Sequence, residues 1–156
     1  MTPAHIRFLE MAVNLAAENL QEHHGRPFGA VLVKDGEVIA TGVNEILSTQ
    51  DPTAHAELSA IRAASQVLQS PRLDGCVIYA SGQPCPMCLS AMHLTGIKEV
   101  YFVLSNADAE PYGLSTAKIY EEIQKPLGLQ NINVQQHSIT GARERLYEGW
   151  KRQTKK

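Results

Sequence analysis

No apolar stretch in this chain approaches the roughly 18 residues that a membrane span requires. The opening segment MTPAHIRFLEMAVNLAAENL also lacks the unbroken apolar core of a secretory signal, because Arg7 and Glu10 interrupt it. A surplus of one charge is missing too. Fourteen basic residues face sixteen acidic ones, and the net charge of -2 offers no general attraction for nucleic acid or anionic lipid. Cysteine is scarce: three residues cannot form a fully paired disulfide framework. Internal repeats, low-complexity tracts and linkers are absent as well. What remains, 44% hydrophobic and 19% charged residues, is the ordinary mixture of a globular protein. It excludes a disordered chain, a collagen and a coiled coil. These absences lead us to expect a cytoplasmic protein whose residues 1–156 form one domain.

The hydrophobic pattern supplies the elements. Ile6, Leu9, Val13, Ala16 and Leu20 recur at helical spacing and predict an opening amphipathic helix. Two β-rich runs flank Lys34-Asp35-Gly36, and Asp-Gly between such runs is a strong hairpin signal. A polar loop over 45–53 leads into AHAELSAIRAASQVLQ, which reads as helix. CVIYAS and EVYFVLS read as strands around the helical PMCLSAMHLTG, which Gly96 is placed to stop. TAKIYEEIQKP predicts a short helix ended by Pro126, INVQQHS an edge strand and ARERLYEGWKRQ a terminal helix. Strands that alternate with helices imply a mixed sheet covered on both faces.

Two short segments carry chemistry. Cys85 and Cys88 stand three apart at the start of a predicted helix, so both sulfurs can project toward one point. The free N–H groups at such a helix end favour thiolate, the form that binds metal. Zinc suits two cysteine sulfurs, and His55, at the start of another helix, is the natural third ligand. Two sulfurs and one nitrogen are too few for a closed structural site. An open fourth position marks a catalytic zinc, where water binds and loses a proton near neutral pH. Glu57, two residues beyond His55, is placed to carry that proton to a leaving group. A lone C-x-x-C is equally a redox pair or half a zinc ribbon. No thioredoxin-like unit and no second C-x-x-C accompany this one.

The joined pattern H-A-E, then P-C-P-M-C, is the signature of zinc-dependent nucleobase deaminases. The chain resembles the cytidine deaminase superfamily and, within it, the small bacterial guanine deaminases. PFGAVLVKDGEVIATGVN, DPTAHAE, PCPMCLSA and KIYEEI-KP carry the likeness along nearly the whole chain. The resemblance implies a three-layer αβα sandwich around a mixed five-stranded sheet. It also implies one zinc per chain and hydrolytic loss of ammonia from a free base, with guanine to xanthine the expected reaction. By the same likeness Asn44 hydrogen-bonds the base and Phe28 packs on it. Ala56 and Pro84 join the substrate contacts, the backbone after Pro84 donating a hydrogen bond beside the zinc. The partners so implied are a small nucleobase and a second subunit, while the missing apolar span and the balanced charge argue against a membrane and against nucleic acid.

Some positions depart from that branch. Ser115 and Thr116 stand where relatives acting on guanine carry acidic residues, Leu94 where an aromatic is common, and Gln83 where a glutamate is usual. Such changes leave open a different aminoheterocycle, cytosine or an aminotriazine, or adenosine in transfer RNA. A zinc-stabilised binding protein without turnover is the alternative from another class, and an intact Glu57 counts against it. Cys76 is expected to be a buried thiol outside the ligand set, His23 and His24 solvated, and His93 partly buried. Residues 141–156, with Leu146, Tyr147 and Trp150, form an apolar helix face that needs a cover. The resemblance implies a segment exchanged between two subunits over an active site, where Glu144 or Glu148 would meet the base. Packing on the chain's own sheet is the other outcome.

Overall fold

The computed structural model describes residues 1–155. These group into two compact units, Met1–Glu121 and the residues from Glu122 onward. The sheet belongs entirely to the first unit. Its strands are β1 (Gly29–Lys34), β2 (Glu37–Val43), β3 (Cys76–Gly82) and β4 (Glu99–Leu104), in the spatial order β2-β1-β3-β4. β1 pairs antiparallel with both β2 and β3, while β3 and β4 run parallel, so the sheet is mixed. The β1–β2 connection is the expected Asp-Gly turn. Asp35 and Gly36 take φ of 52° and 79°, the two positive values that a tight hairpin turn of this hand demands.

Helices cover both faces. α1 (Pro3–His23) lies on one, where Phe8, Leu9 and Ala12 pack against Val31, Val33 and Tyr79. After the short α2 (Ile46–Thr49), α3 (Ala56–Leu68) and α4 (Pro86–Thr95) bury Ala60, Ile61, Cys88 and Met92 against Ala30, Leu32 and Ile78 on the other face. The alternation of β1 divides it between the two cores, which is why a strand of small and branched apolar residues suits the centre of the sheet. Gly96, with φ of 87°, ends α4 as its sequence position suggests.

α5 (Asn106–Ala109), α6 (Ala117–Ile123) and α7 (Gly149–Thr154) follow, the last preceded by a π-helical turn over Glu144–Glu148. Two expectations need correction. The fifth strand is not formed: INVQQHS runs without regular structure, and the described sheet has four strands. Ile132 and Val134 are its sole large apolar residues, both exposed, and Gln135, Gln136 and His137 offer nothing to bury. The inward face of α1 is also rotated. Leu9 and Ala16 are buried as expected, but Phe8, Ala12 and Asn19 accompany them in place of Ile6, Val13 and Leu20. Among the described residues no helix is long and apolar enough to cross a membrane.

Candidate metal centre and active-site pocket

The site is built on two helix N-termini and the ends of two parallel strands. His55 is the N-cap of α3, with extended φ and ψ of -75° and 154°, and its side chain makes no capping bond. The imidazole is therefore free to turn away from its own helix. The preceding turn is locked by Asp51, whose Oδ1 accepts from the Thr53 N–H at 2.8 Å and the Thr53 hydroxyl at 2.7 Å. Those bonds hold the Asp51 carboxyl below its ordinary range. α3 itself is pressed against β2. A Cβ at Gly42 would stand 2.2 Å from the Ala56 carbonyl oxygen, so this approach excludes any larger residue.

Cys85 is the N-cap of α4 and Cys88 lies in its first turn, with Pro86 between them. The Cys88 N–H donates to the Cys85 sulfur at 3.5 Å. His55 Nδ1 stands 3.4 Å from Cys85 Sγ and 3.6 Å from Cys88 Sγ, and the three donor atoms lie within 4.8 Å of one another. A tetrahedral zinc with ordinary bond lengths would set nitrogen and sulfur about 3.5 Å apart. The donor set fits that ion in both spacing and chemistry. Cys76 is buried at the start of β3, outside this cluster.

The cluster's protons are already arranged for a cation. A hydrogen bond from Cys88 holds the Cys85 thiol down at about 4, and His55 adds to the effect. Cys88, keeping the shared proton between two sulfurs in a buried place, is pushed far up. His55 is raised by its bond to Cys85. A metal entering here displaces the proton that Cys88 keeps. Glu57, 6% exposed in the first turn of α3, is pushed up to about 7 by burial, with the Cys85 charge adding to it.

A pocket of about 270 Å³ opens beside these groups, with His55, Glu57 and Cys85 in its lining. Asn44 and Phe28 line it as expected, and so do Ser115 and Thr116. Ala56 and Pro84 are buried behind it, with the Pro84 carbonyl accepting from the Tyr120 hydroxyl. His93, expected to be partly buried, is instead exposed on α4 and outside the pocket lining. Leu94 is also exposed.

Four residues of the site carried no signal in the sequence pattern. Asn19, buried on α1, donates to the carbonyls of Arg26 at 2.8 Å and Asn44 at 2.9 Å, tying together the loops that hold both. Arg26 lines the pocket. Asn106 donates its N–H to Gln83 Oε1 at 2.9 Å and accepts from the Thr116 N–H at 3.2 Å, joining the loops after β3 and β4. Tyr120 buttresses Pro84 from α6.

Comparison with known proteins agrees with this geometry. Residues 2–104 match the family described as the cytidine and deoxycytidylate deaminase zinc-binding region. The guanine deaminase of Bacillus subtilis (strain 168) is 45% identical over 136 residues, 87% of each chain. The tRNA-specific adenosine deaminase of Aquifex aeolicus is 32% identical over 145 residues, 93% of each chain. The X-ray structure of guanine deaminase from Bacillus subtilis is similar with a TM-score of 0.89 and 41% identity, covering 97% of this chain and 95% of that one. The matched residues 2–104 include His55, Glu57, Cys85 and Cys88, and the fold around them is shared. This chain belongs to the cytidine and deoxycytidylate deaminase family.

Proposed function

We propose that the protein is a zinc-dependent hydrolase that removes the exocyclic amine of a free purine base, converting guanine to xanthine and ammonia. The observation that carries this reading is the convergence of His55 Nδ1 and the two thiol sulfurs within 4.8 Å, beside buried Glu57 and one pocket. Similarity to guanine deaminase of Bacillus subtilis supports the choice of base. One zinc per chain, held by His55, Cys85 and Cys88, supplies a Lewis acid and a water acidified to near-neutral pKa.

The chain's own groups do the rest. Glu57 takes one proton from water and delivers it to the ring nitrogen, then takes the second from the hydroxyl now on the ring carbon and gives it to the departing amine. Water's oxygen becomes the new carbonyl and the amine leaves as ammonia, so atoms balance. Asn44 donates its amide N–H to an acceptor on the base, and Phe28 packs on the ring. The main chain at Ala56 and after Pro84 borders the reacting carbon.

The same reading makes the chain a cytoplasmic homodimer, with residues 141–156 exchanged to cover a neighbouring active site. Exposed Leu146, Tyr147 and Trp150 support a cover for that segment. Exposed Phe102, Val103 and Leu104 on the edge strand β4 support a subunit contact. Deleting 141–156 should sharply raise KM with zinc retained, and full-length protein should sediment as a dimer.

Ammonia release from guanine, adenine, cytosine, an aminotriazine and transfer RNA tests the function. The highest kcat/KM should belong to guanine. Turnover of transfer-RNA adenosine with no free base accepted would replace this reading with the RNA one, as likeness to the Aquifex aeolicus protein allows.

A further inference from the structure

Asn44 stands just beyond the end of β2, where the sheet no longer holds the chain. Its N–H still reaches the Phe28 carbonyl, at 3.2 Å. The next peptide, between Asn44 and Glu45, has no strand partner and is clamped from both ends instead. Its carbonyl accepts from Asn19 Nδ2 at 2.9 Å, and its N–H donates to the Ala54 carbonyl at 2.9 Å. Ala54 directly precedes His55, so one peptide plane relates Asn44 to the metal centre. One peptide further on, the Ile46 N–H bonds Asn44 Oδ1 at 3.1 Å. That contact leaves the Asn44 amide nitrogen, a donor, as the atom that meets a base.

Asn19 holds this clamp from α1, 3% exposed and outside the pocket lining. Its main-chain carbonyl accepts from the Gly25 N–H at 2.9 Å, where His24 turns the chain out of the helix with φ of 51°. Its amide nitrogen also donates to the Arg26 carbonyl at 2.8 Å, and that oxygen accepts from the Phe28 N–H at 2.8 Å. One NH2 group thus joins the turn before Phe28 to the peptide after Asn44. Carbonyls only accept, so both bonds need the amide nitrogen, and a side chain without two donors cannot replace it. The fit leaves no slack. A Cβ at Gly25 would stand 2.5 Å from Asn19 Nδ2, and Gly25 has no positive φ, so that contact is the obstacle to a larger residue.

Resting on the deaminase reading of the neighbouring pocket, we infer that Asn19 is a positioning residue for base binding, aiming the Asn44 amide by fixing the Asn44–Glu45 peptide against α1. It acts through Asn44 and not by contact with the base. Asn44 meets the base before and during the reaction alike, so loss of its aim weakens both states and shows in KM with kcat held. A purely structural role reads differently. Removing a buried hydrogen bond then lowers the melting temperature and the folded fraction, which scales the apparent kcat and leaves KM unchanged.

The test measures kcat and KM for guanine, zinc content and melting temperature on full-length, zinc-loaded wild type, Asn19→Ala and Gly25→Ala. Asn19→Ala removes both donors. Gly25→Ala keeps them but forces the amide aside, and so reads the same brace if the first variant fails to fold. Each should raise KM about tenfold, the scale of one hydrogen bond lost to the ligand, with kcat within about twofold and zinc near one per chain. In an Asn44→Ala background no amide remains to be aimed, and Asn19→Ala should then change KM by less than about twofold. An unchanged KM in the single variants, or an equal rise in the Asn44→Ala background, would overturn the inference while the deaminase reading stands. Calorimetric dissociation constants for guanine on zinc-loaded Glu57→Gln protein, with and without Asn19→Ala, read the same aim without turnover and should differ about tenfold. Failure of zinc-loaded wild type to release ammonia from any base would overturn the deaminase reading itself. The calorimetric ratio would then decide the role of Asn19, which equal constants, or no binding of guanine, would overturn.

Discussion

The two sides of the pocket are built differently. On the metal side, His55, Glu57, Cys85 and Cys88 stand at helix N-termini, within the residues 2–104 that match the family. On the opposite side, Ser115 and Thr116 belong to a loop beyond that match, fastened through Asn106 and Gln83. The metal side is fixed by main-chain geometry and close packing, of which the contact between Gly42 and Ala56 is the tightest point. The far side is fixed by side-chain hydrogen bonds that other residue types could replace. On the proposed reading, reaction type resides where substitution is costly, and substrate choice where it is cheap.

Breaking the metal side should give the largest effects. Cys88→Ser should lose stoichiometric zinc, measured by elemental analysis, and reduce turnover to background. Glu57→Gln should keep zinc and lose about 10²–10⁴-fold in kcat, the span of a positioned acid–base group.

The same variant sharpens the electrostatics of the metal-free protein. Glu57 has a folded-state pKa of about 7 against an ordinary value of 4.5. Below pH 4.5 it is protonated in both states, and its burial then carries no ionisation cost. As pH rises from 4.5 through 7, the unfolded chain releases the proton first, so the group's contribution to stability is progressively lost. Urea unfolding should show Glu57→Gln gaining on wild type over that window, by an amount on the order of 3 kcal/mol. A difference that does not change with pH would contradict the burial argument. Gly42→Ala should have a smaller effect, about 1–3 kcal/mol of destabilisation, with weakened zinc affinity because α3 must move. Normal zinc affinity in that variant would show that the approach of β2 to α3 does not set the position of His55.

The metal side was legible in the sequence because its requirements are local. A histidine or cysteine at an N-cap, a carboxylate two residues on and a proline opening the helix are readable as spacing. The Asp35-Gly36 hairpin was legible for the same reason, since positive φ at both positions restricts residue choice. Asn19 and Asn106 were not legible, because each acts by reaching loops distant in the chain. Arg26 gave no sign, as only the fold brings it into the pocket lining. The face of α1 was misplaced because Ile6, Val13 and Leu20 fit the helical period as well as the residues actually buried, and tertiary packing decided between them. INVQQHS had strand-forming residues, but too few apolar ones to hold an edge in the described sheet.

Ser115→Asp tests the division between the two sides most directly, because aspartate can still accept the Ala117 N–H while adding an acceptor to the wall. The measurement is the ratio of kcat/KM for guanine to that for adenine, which lacks guanine's N1–H and 2-amino donors, taken with zinc content on the same preparation. The expected result is a ratio raised about tenfold toward guanine, with zinc still near one per chain. An unchanged ratio, or loss of zinc from a folded variant, would contradict the assignment of chemistry to one side of the pocket and substrate choice to the other.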